Sequence, residues 1–108
     1  MRYNKLVRDR IPEIMTENGV KASFRVLEES EMLTYLERKL DEEVREFHYS
    51  KNIEELADIY EVLKELIALC GASPSAFYHL CNLKIEKRGG FSKRLCLIET
   101  EERNNNEH

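Results

Sequence analysis

The chain has 108 residues, of which 35% are charged and 42% hydrophobic, a balance typical of one soluble globular domain. Its net charge of -4 argues against a general nucleic-acid binder but not against a small anionic ligand held by a local basic cluster. No apolar run approaches the ~20 residues of a membrane span, and the start, MRYNKLVRDR, is too charged for a signal peptide.

The cysteines indicate a reducing compartment. Cys70, Cys81 and Cys96 are odd in number and lack CxxC spacing, and the histidines form no zinc-ligand pattern with them. We therefore expect reduced thiols in a cytoplasmic protein that spans no membrane.

The first quarter of the chain predicts one short helix and one short strand. Pro12 suits the first turn of a helix that begins at Asp9 or Arg10, and Gly19 is its expected stop. The segment SFRVL, residues 23–27, alternates apolar and polar side chains and predicts a strand.

Three longer helices are each introduced by a capping residue, and they are expected at residues 30–48, 52–70 and 73–88. Ser30, Asn52 and Ser73 are the predicted N-caps, and Pro74 occupies the first position of the last helix. A turn of a few residues separates the first two, so we expect them to run antiparallel and face each other.

The end of the chain predicts a second strand and a polar tail. RLCLIET, residues 94–100, could pair with residues 23–27 in a small two-stranded β ribbon, and residues 101–108 are expected to be disordered. The predicted fold is mainly all-α. It is a single domain, residues 1–100, in which two long helices and a third form an antiparallel bundle that oligomerisation completes.

Acidic residues interrupt the apolar stripes of the two longest predicted helices. On a helical wheel Glu43 lies roughly 60° from the centre of the first stripe, and Glu55 holds the same place on the second. Glu46 and Asp58 follow one turn later at the border of each stripe. If the helices face each other, these carboxylates converge and repel, and a hard divalent cation such as Mg²⁺ would offset that repulsion.

A structural interpretation of the same acids is left open by the pattern. Glu55 could complete a capping box with Asn52, and Glu43 could pair with Arg38 or Arg45 at the surface. Acidic residues are also common on solvated helices, and the chain has 21 of them, so an ExxE or ExxD spacing alone is weak evidence.

Four segments together resemble one enzyme family: YNKLVRDRIPEI, KLDEEVREF, EELADIYEV and KRGGF. They are similar, in order and type, to the MazG-like superfamily of all-α nucleoside triphosphate pyrophosphohydrolases, and in particular to its short phosphoribosyl-ATP pyrophosphohydrolase-like branch. The resemblance covers residues 3 to about 98. The family's metal motif, ExxE followed by ExxD, then falls on Glu43, Glu46, Glu55 and Asp58, with a gap of eight residues that is shorter than in many members.

The resemblance implies a homodimer or homotetramer that uses Mg²⁺, with Mn²⁺ as a substitute, to hydrolyse the α–β phosphate bond of a nucleotide. Glu43, Glu46, Glu55 and Asp58 would bind the metal. In an alternative assignment one of them, Glu43 or Glu46, would orient or deprotonate the attacking water instead. Housecleaning of non-canonical nucleotides is the favoured role, and hydrolysis of phosphoribosyl-ATP in histidine synthesis is the close alternative. A non-catalytic helical dimer that binds nucleotides or a partner protein is the rival from another class.

A triphosphate needs cationic side chains in addition to the metal. The expected phosphate-binding residues come from both ends of the chain, and they are Lys5, Arg8, Lys84, Arg88 and Lys93. For the C-terminal group the structural alternative is that basic residues complement the end of a helix dipole and glycines stop the helix.

Overall fold

Every regular element in the described part of the chain is an α-helix. The computed structural model describes residues 1–101, and its helices α1 to α4 span Ile11–Glu17, Glu29–Ser50, Ile53–Leu69 and Pro74–Arg88. The expectation of a mainly all-α fold is therefore confirmed for these residues. Within the same range, no helix combines the length and the apolar character needed to cross a bilayer.

The chain divides into two compact units. The first, Met1–Ala72, carries α1, α2 and α3, and the second begins at Ser73 and carries α4. The expected third helix of the bundle and its completion by oligomerisation stay predictions. Apart from Glu101, the tail that we expected to be disordered lies outside the described residues.

Helices α2 and α3 form a tight helical hairpin. They pack against each other, and only Lys51 and Asn52 join them. Lys51 adopts a left-handed conformation, with φ of 57°, and its N–H donates to the carbonyl of Phe47 at 2.8 Å. The predicted cap Asn52 is confirmed, because its side-chain oxygen accepts from the N–H of Glu54 at 2.9 Å. The chain direction thus reverses within two residues.

The hairpin closes around a very small core. Among residues 1–101 the buried hydrophobic side chains are Leu36 and Val62, which are 2% and 7% exposed, and Glu43 is buried with them at 5%. Other apolar residues of the predicted stripes, such as Leu56 and Leu63, stay more than a third exposed. A carboxylate therefore occupies one of the few positions that this unit shields from water.

The two predicted strands are wrong. No strand forms within residues 1–101, and the side chains that were to form its apolar face stay open to solvent, with Val26 92% and Leu97 72% exposed. A two-stranded ribbon is marginal in water unless a third element covers its apolar face. In addition, Arg25 in the first segment forms a paired contact with Glu31 of α2 rather than a sheet contact.

The start of α2 also differs from the expectation. Glu28, not Ser30, is the N-cap, and the Glu31 side chain accepts from the backbone N–H of Glu28 at 2.9 Å. Glu31 binds the Arg25 guanidinium at 3.0 and 2.9 Å as well. These contacts join the segment before α2 to its first turn.

Because of these contacts, we expect the stability of the protein to depend on the ionisation of Glu31. The hydrogen bonds from Arg25 and Glu28 lower the pKa of Glu31 from 4.5 to about 2. A lowered folded-state pKa gives stability that is present above pH 4.5 and lost as the pH falls toward 2. We expect Glu31→Gln to lower the melting temperature above pH 4.5, with the deficit closing in more acidic buffer. Thermal unfolding followed by circular dichroism across this range measures it.

Glu29→Gln is the matched control, because Glu29 is an exposed acid in the same first turn. It should leave the melting temperature almost unchanged at every pH. A Glu31→Gln deficit that keeps the same size from neutral pH to pH 2 would contradict the role given to the ionised carboxylate.

Candidate metal centre

The α2–α3 hairpin brings three acidic side chains into one cluster. Glu43 comes from α2, and Glu55 and Asp58 come from neighbouring positions one turn apart on α3. One carboxylate oxygen of each lies within 4.8 Å of the others. We call this group the carboxylate triad. The convergence that we expected from the helical wheels is therefore present for three of the four acids.

Glu43 is the most buried member of the triad. Its Oε1 lies 3.3 Å from the Lys39 ammonium group, whereas its Oε2 is buried and has no hydrogen-bond partner within residues 1–101. Burial raises the pKa of Glu43, the Lys39 contact opposes the shift, and the charges of Glu46 and Asp58 add to it. An unsatisfied buried carboxylate oxygen is costly, so this position favours a cation or a proton.

Glu46, the fourth predicted ligand, lies beside the triad rather than within it. Burial raises the pKa of Glu55, and the charges of Glu46, Asp58 and Glu43 raise it further. Glu46 is itself exposed. Glu46 is thus close enough for its charge to affect Glu55, while its own carboxylate stays accessible to water.

The two specific contacts that the sequence suggested as structural roles for these acids do not form within the described residues. The backbone N–H of Asn52 donates to Ser50 Oγ at 3.1 Å, so Glu55 does not close a capping box with it. The pair formed by Glu43 is with Lys39, not with either of the arginines that the sequence suggested. The Arg38 guanidinium lies instead over the Tyr35 ring, 5.3 Å from its centroid.

The N-terminal cations reach this part of the molecule. Arg8, an expected phosphate-binding residue, donates to Asp58 Oδ1 at 2.7 Å and so contacts the triad directly. Lys5 lies further out, with its ammonium group 3.4 Å from Glu42 Oε2. Segment 1–8 is thus anchored along the hairpin by ion pairs.

The C-terminal cations belong to the second unit. Lys84 and Arg88 lie on α4, Lys93 follows the helix, and all three are exposed. Gly89 ends α4 with a φ of 79°, as the sequence predicted. The phosphate-binding role of these three residues stays a prediction.

Sequence reasoning missed two cationic residues near the triad. The Lys39 side chain is only 17% exposed and contacts both Glu42 and Glu43. Its spacing of four residues from Glu43 on one helix was the available signal. Arg45 was considered only as a partner of Glu43, and the structure places it at a pocket.

That pocket, which we call the α2-end pocket, adjoins the triad and measures about 360 Å³. Its lining residues are Glu42, Arg45, Glu46, Tyr49, Ser50 and Glu55. Because Glu55 belongs to both, a ligand in the pocket would lie next to the triad.

Comparison with protein-family models, with curated proteins and with solved structures found no match to this chain. The arguments for function therefore start from the residues. Carboxylate oxygens are hard donors of the kind that Mg²⁺ prefers, and the buried Oε2 of Glu43 lacks a protein partner within residues 1–101. The donor set thus fits a hard divalent cation.

Proposed function

We propose that the chain is a Mg²⁺-dependent nucleotide pyrophosphohydrolase, with Mn²⁺ as a substitute metal. One observation carries the proposal: the unpartnered, buried Oε2 of Glu43 belongs to a triad with Glu55 and Asp58. A structural acid in this position would be expected to have a donor for each oxygen. A metal-ligating acid has its second partner only when the ion is bound.

In this proposal Glu43, Glu55 and Asp58 hold the ion, Glu46 either adds a further ligand or acts on the attacking water instead, and the chain's other residues position the substrate. When bound, Mg²⁺ supplies charge neutralisation on phosphate oxygens and lowers the pKa of a coordinated water. Glu46 is suited to accept the proton of the attacking water, because it is exposed and lies beside the triad. The water oxygen bonds to phosphorus, the α–β anhydride bond breaks, and nucleoside monophosphate and pyrophosphate leave.

The resemblance of four segments to MazG-like enzymes supports this chemistry. It also supports housecleaning of non-canonical nucleotides as the physiological role, with phosphoribosyl-ATP as the close alternative substrate. The geometry adds independent support, since residues picked by the motif and residues brought together by the hairpin coincide at Glu43, Glu55 and Asp58.

A homodimer or homotetramer is part of the proposal. Leu56, Tyr60 and Leu63 follow helical spacing on α3 and are 44%, 55% and 39% exposed. Apolar side chains in such a row are typical of a surface that another helix covers. Light scattering that shows only monomer at working concentration would contradict this part of the proposal.

The direct test is pyrophosphate release from a panel of canonical, oxidised and deaminated nucleoside triphosphates and from phosphoribosyl-ATP, each with and without Mg²⁺. We expect release that requires Mg²⁺ and favours one or a few substrates. If folded protein releases pyrophosphate from none of them, and Mg²⁺ leaves its melting temperature unchanged, the non-catalytic dimer becomes the better interpretation.

Arg8 gives a separate prediction about metal binding. Its guanidinium already neutralises Asp58 at 2.7 Å, so an incoming divalent ion must compete with it. We expect Arg8→Gln to tighten Mg²⁺ binding a few-fold in the absence of nucleotide, as measured by isothermal titration calorimetry. The matched control is Arg10→Gln, because Arg10 pairs with the remote Glu13. Weaker binding by Arg8→Gln than by wild type would rule out the competition.

A further inference from the structure

The α2-end pocket extends from the metal centre along one face of α2. Its α2 residues, in the order Glu42, Arg45, Glu46, Tyr49 and Ser50, follow the spacing of one helix face, and Glu55 closes the pocket from α3. Its volume of about 360 Å³ falls within the range of small-molecule sites. A ligand of nucleoside size suits it better than a polypeptide.

The Tyr49 side chain packs little against the described residues of its own chain. It is 92% exposed although it lies on the longest helix of the chain. Large rings are normally retained for the area that they bury or for the ligand that they contact. A flat, accessible ring beside a candidate metal centre is suited to stack on the planar base of a metal-bound nucleotide.

Arg45 is the second unexplained residue of the pocket. No ion pair to its guanidinium occurs within residues 1–101, although several acids lie near it on α2. It lines the pocket together with Glu46 and with Tyr49, which lies one turn further along α2. A guanidinium in this place can bind phosphate oxygens through two parallel N–H donors.

We infer that the α2-end pocket is the nucleotide subsite, in which Tyr49 stacks on the base and Arg45 binds the polyphosphate chain that extends to the triad. The inference rests on the proposed function. The base is the part of a nucleotide that an inorganic polyphosphate lacks. The base would contact Tyr49, whereas both kinds of ligand would contact Arg45. Substitutions at the two positions should therefore affect the two kinds of ligand differently.

The experiment measures equilibrium binding in Mg²⁺ of α,β-methylene analogues of the canonical, oxidised and deaminated triphosphates in the release panel, which cannot be cleaved at the α–β position. Inorganic tripolyphosphate is the comparison ligand. We expect Tyr49→Ala to weaken binding of the preferred analogue about 10-fold, within the range measured for stacking on one base. The same variant should bind tripolyphosphate as wild type does, and Tyr49→Phe should retain affinity for the analogue.

Arg45→Gln should weaken binding of the analogue and of tripolyphosphate alike, while its affinity for Mg²⁺ alone stays unchanged. The matched controls are Tyr78→Ala, an exposed tyrosine on α4, and Arg38→Gln, an exposed arginine on α2, and neither should alter binding. Circular dichroism of each variant checks that the helices are retained.

The outcomes separate this inference from the proposed function. If wild type binds and hydrolyses nucleotides but Tyr49→Ala and Arg45→Gln match its affinity, the subsite is elsewhere and the enzyme proposal stands. If the analogues bind with the expected variant pattern but no triphosphate is hydrolysed, the subsite stands and the enzyme proposal fails. Wild type that binds none of the analogues overturns the subsite.

Discussion

Replacing Glu55 by glutamine is expected to lower Mg²⁺-dependent pyrophosphate release by at least about 100-fold while the protein stays folded. Substituting a residue that only supports a metal ligand commonly costs about 10–100-fold in affinity or activity, so loss of a direct ligand should cost no less. Glu55 lies within 4.8 Å of Glu43 and Asp58, and glutamine keeps its size but removes its charge. Steady-state release at saturating Mg²⁺ measures the effect, and calorimetry should show weaker metal binding.

The matched control is Glu54→Gln, the preceding acid on α3, whose exposed side chain lies outside the triad. It should release pyrophosphate at close to the wild-type rate. Asp58→Asn should show a loss similar to that of Glu55→Gln. If Glu55→Gln and Asp58→Asn both keep wild-type turnover, with helical content unchanged, the triad does not bind the catalytic metal.

The success of the sequence analysis on the helices has a local cause. Asn52 and Ser73 cap their helices through side-chain bonds to N–H groups two and three residues away. Such contacts are encoded within a few residues, so sequence suffices to find them. The predicted strands failed because a strand needs a distant partner, and alternation of side chains at residues 23–27 carries no information about one.

The same distinction applies to the metal centre. Helical periodicity identified Glu43 and Glu55 as acids on apolar faces, because both positions depend only on their own helix. The 2.7 Å contact between Arg8 and Asp58 spans 50 positions in sequence, and only the folded chain shows it. Arg45 was named for the wrong partner, since its place at the α2-end pocket depends on the position of Glu55 across the hairpin.

Replacing Glu43 by leucine is expected to stabilise the metal-free protein while it abolishes the effect of Mg²⁺. The wild-type side chain is 5% exposed and its Oε2 has no protein partner within residues 1–101. Leucine removes that unsatisfied group, which should raise the free energy of unfolding by about 1–3 kcal/mol. Lys39 keeps a charged neighbour, because Glu42 lies 3.4 Å from its ammonium group. Urea unfolding in a chelating buffer measures the difference.

The pH dependence should change in the same variant. The raised pKa of Glu43 means that the native wild type holds its proton more tightly than the unfolded chain does. Wild-type stability that comes from this group is therefore greatest below pH 4.5 and falls as the pH rises through the raised value. The advantage of Glu43→Leu over wild type should accordingly be largest near neutral pH and shrink in acid.

The effect of Mg²⁺ on the free energy of unfolding shows whether Glu43 is a metal ligand or only a buried acid that destabilises the fold. An ion that binds only the native state at 100 times its dissociation constant adds about 2.7 kcal/mol to the free energy of unfolding. Wild type should gain stability in this way, Glu43→Leu should not, and the control Glu37→Leu, at an exposed position of α2, should gain as wild type does. A Glu43→Leu variant that is less stable than wild type without metal would show that the Lys39 contact outweighs the burial of the carboxylate. The acid would then be structural, and the case for a metal at this position would fail with it.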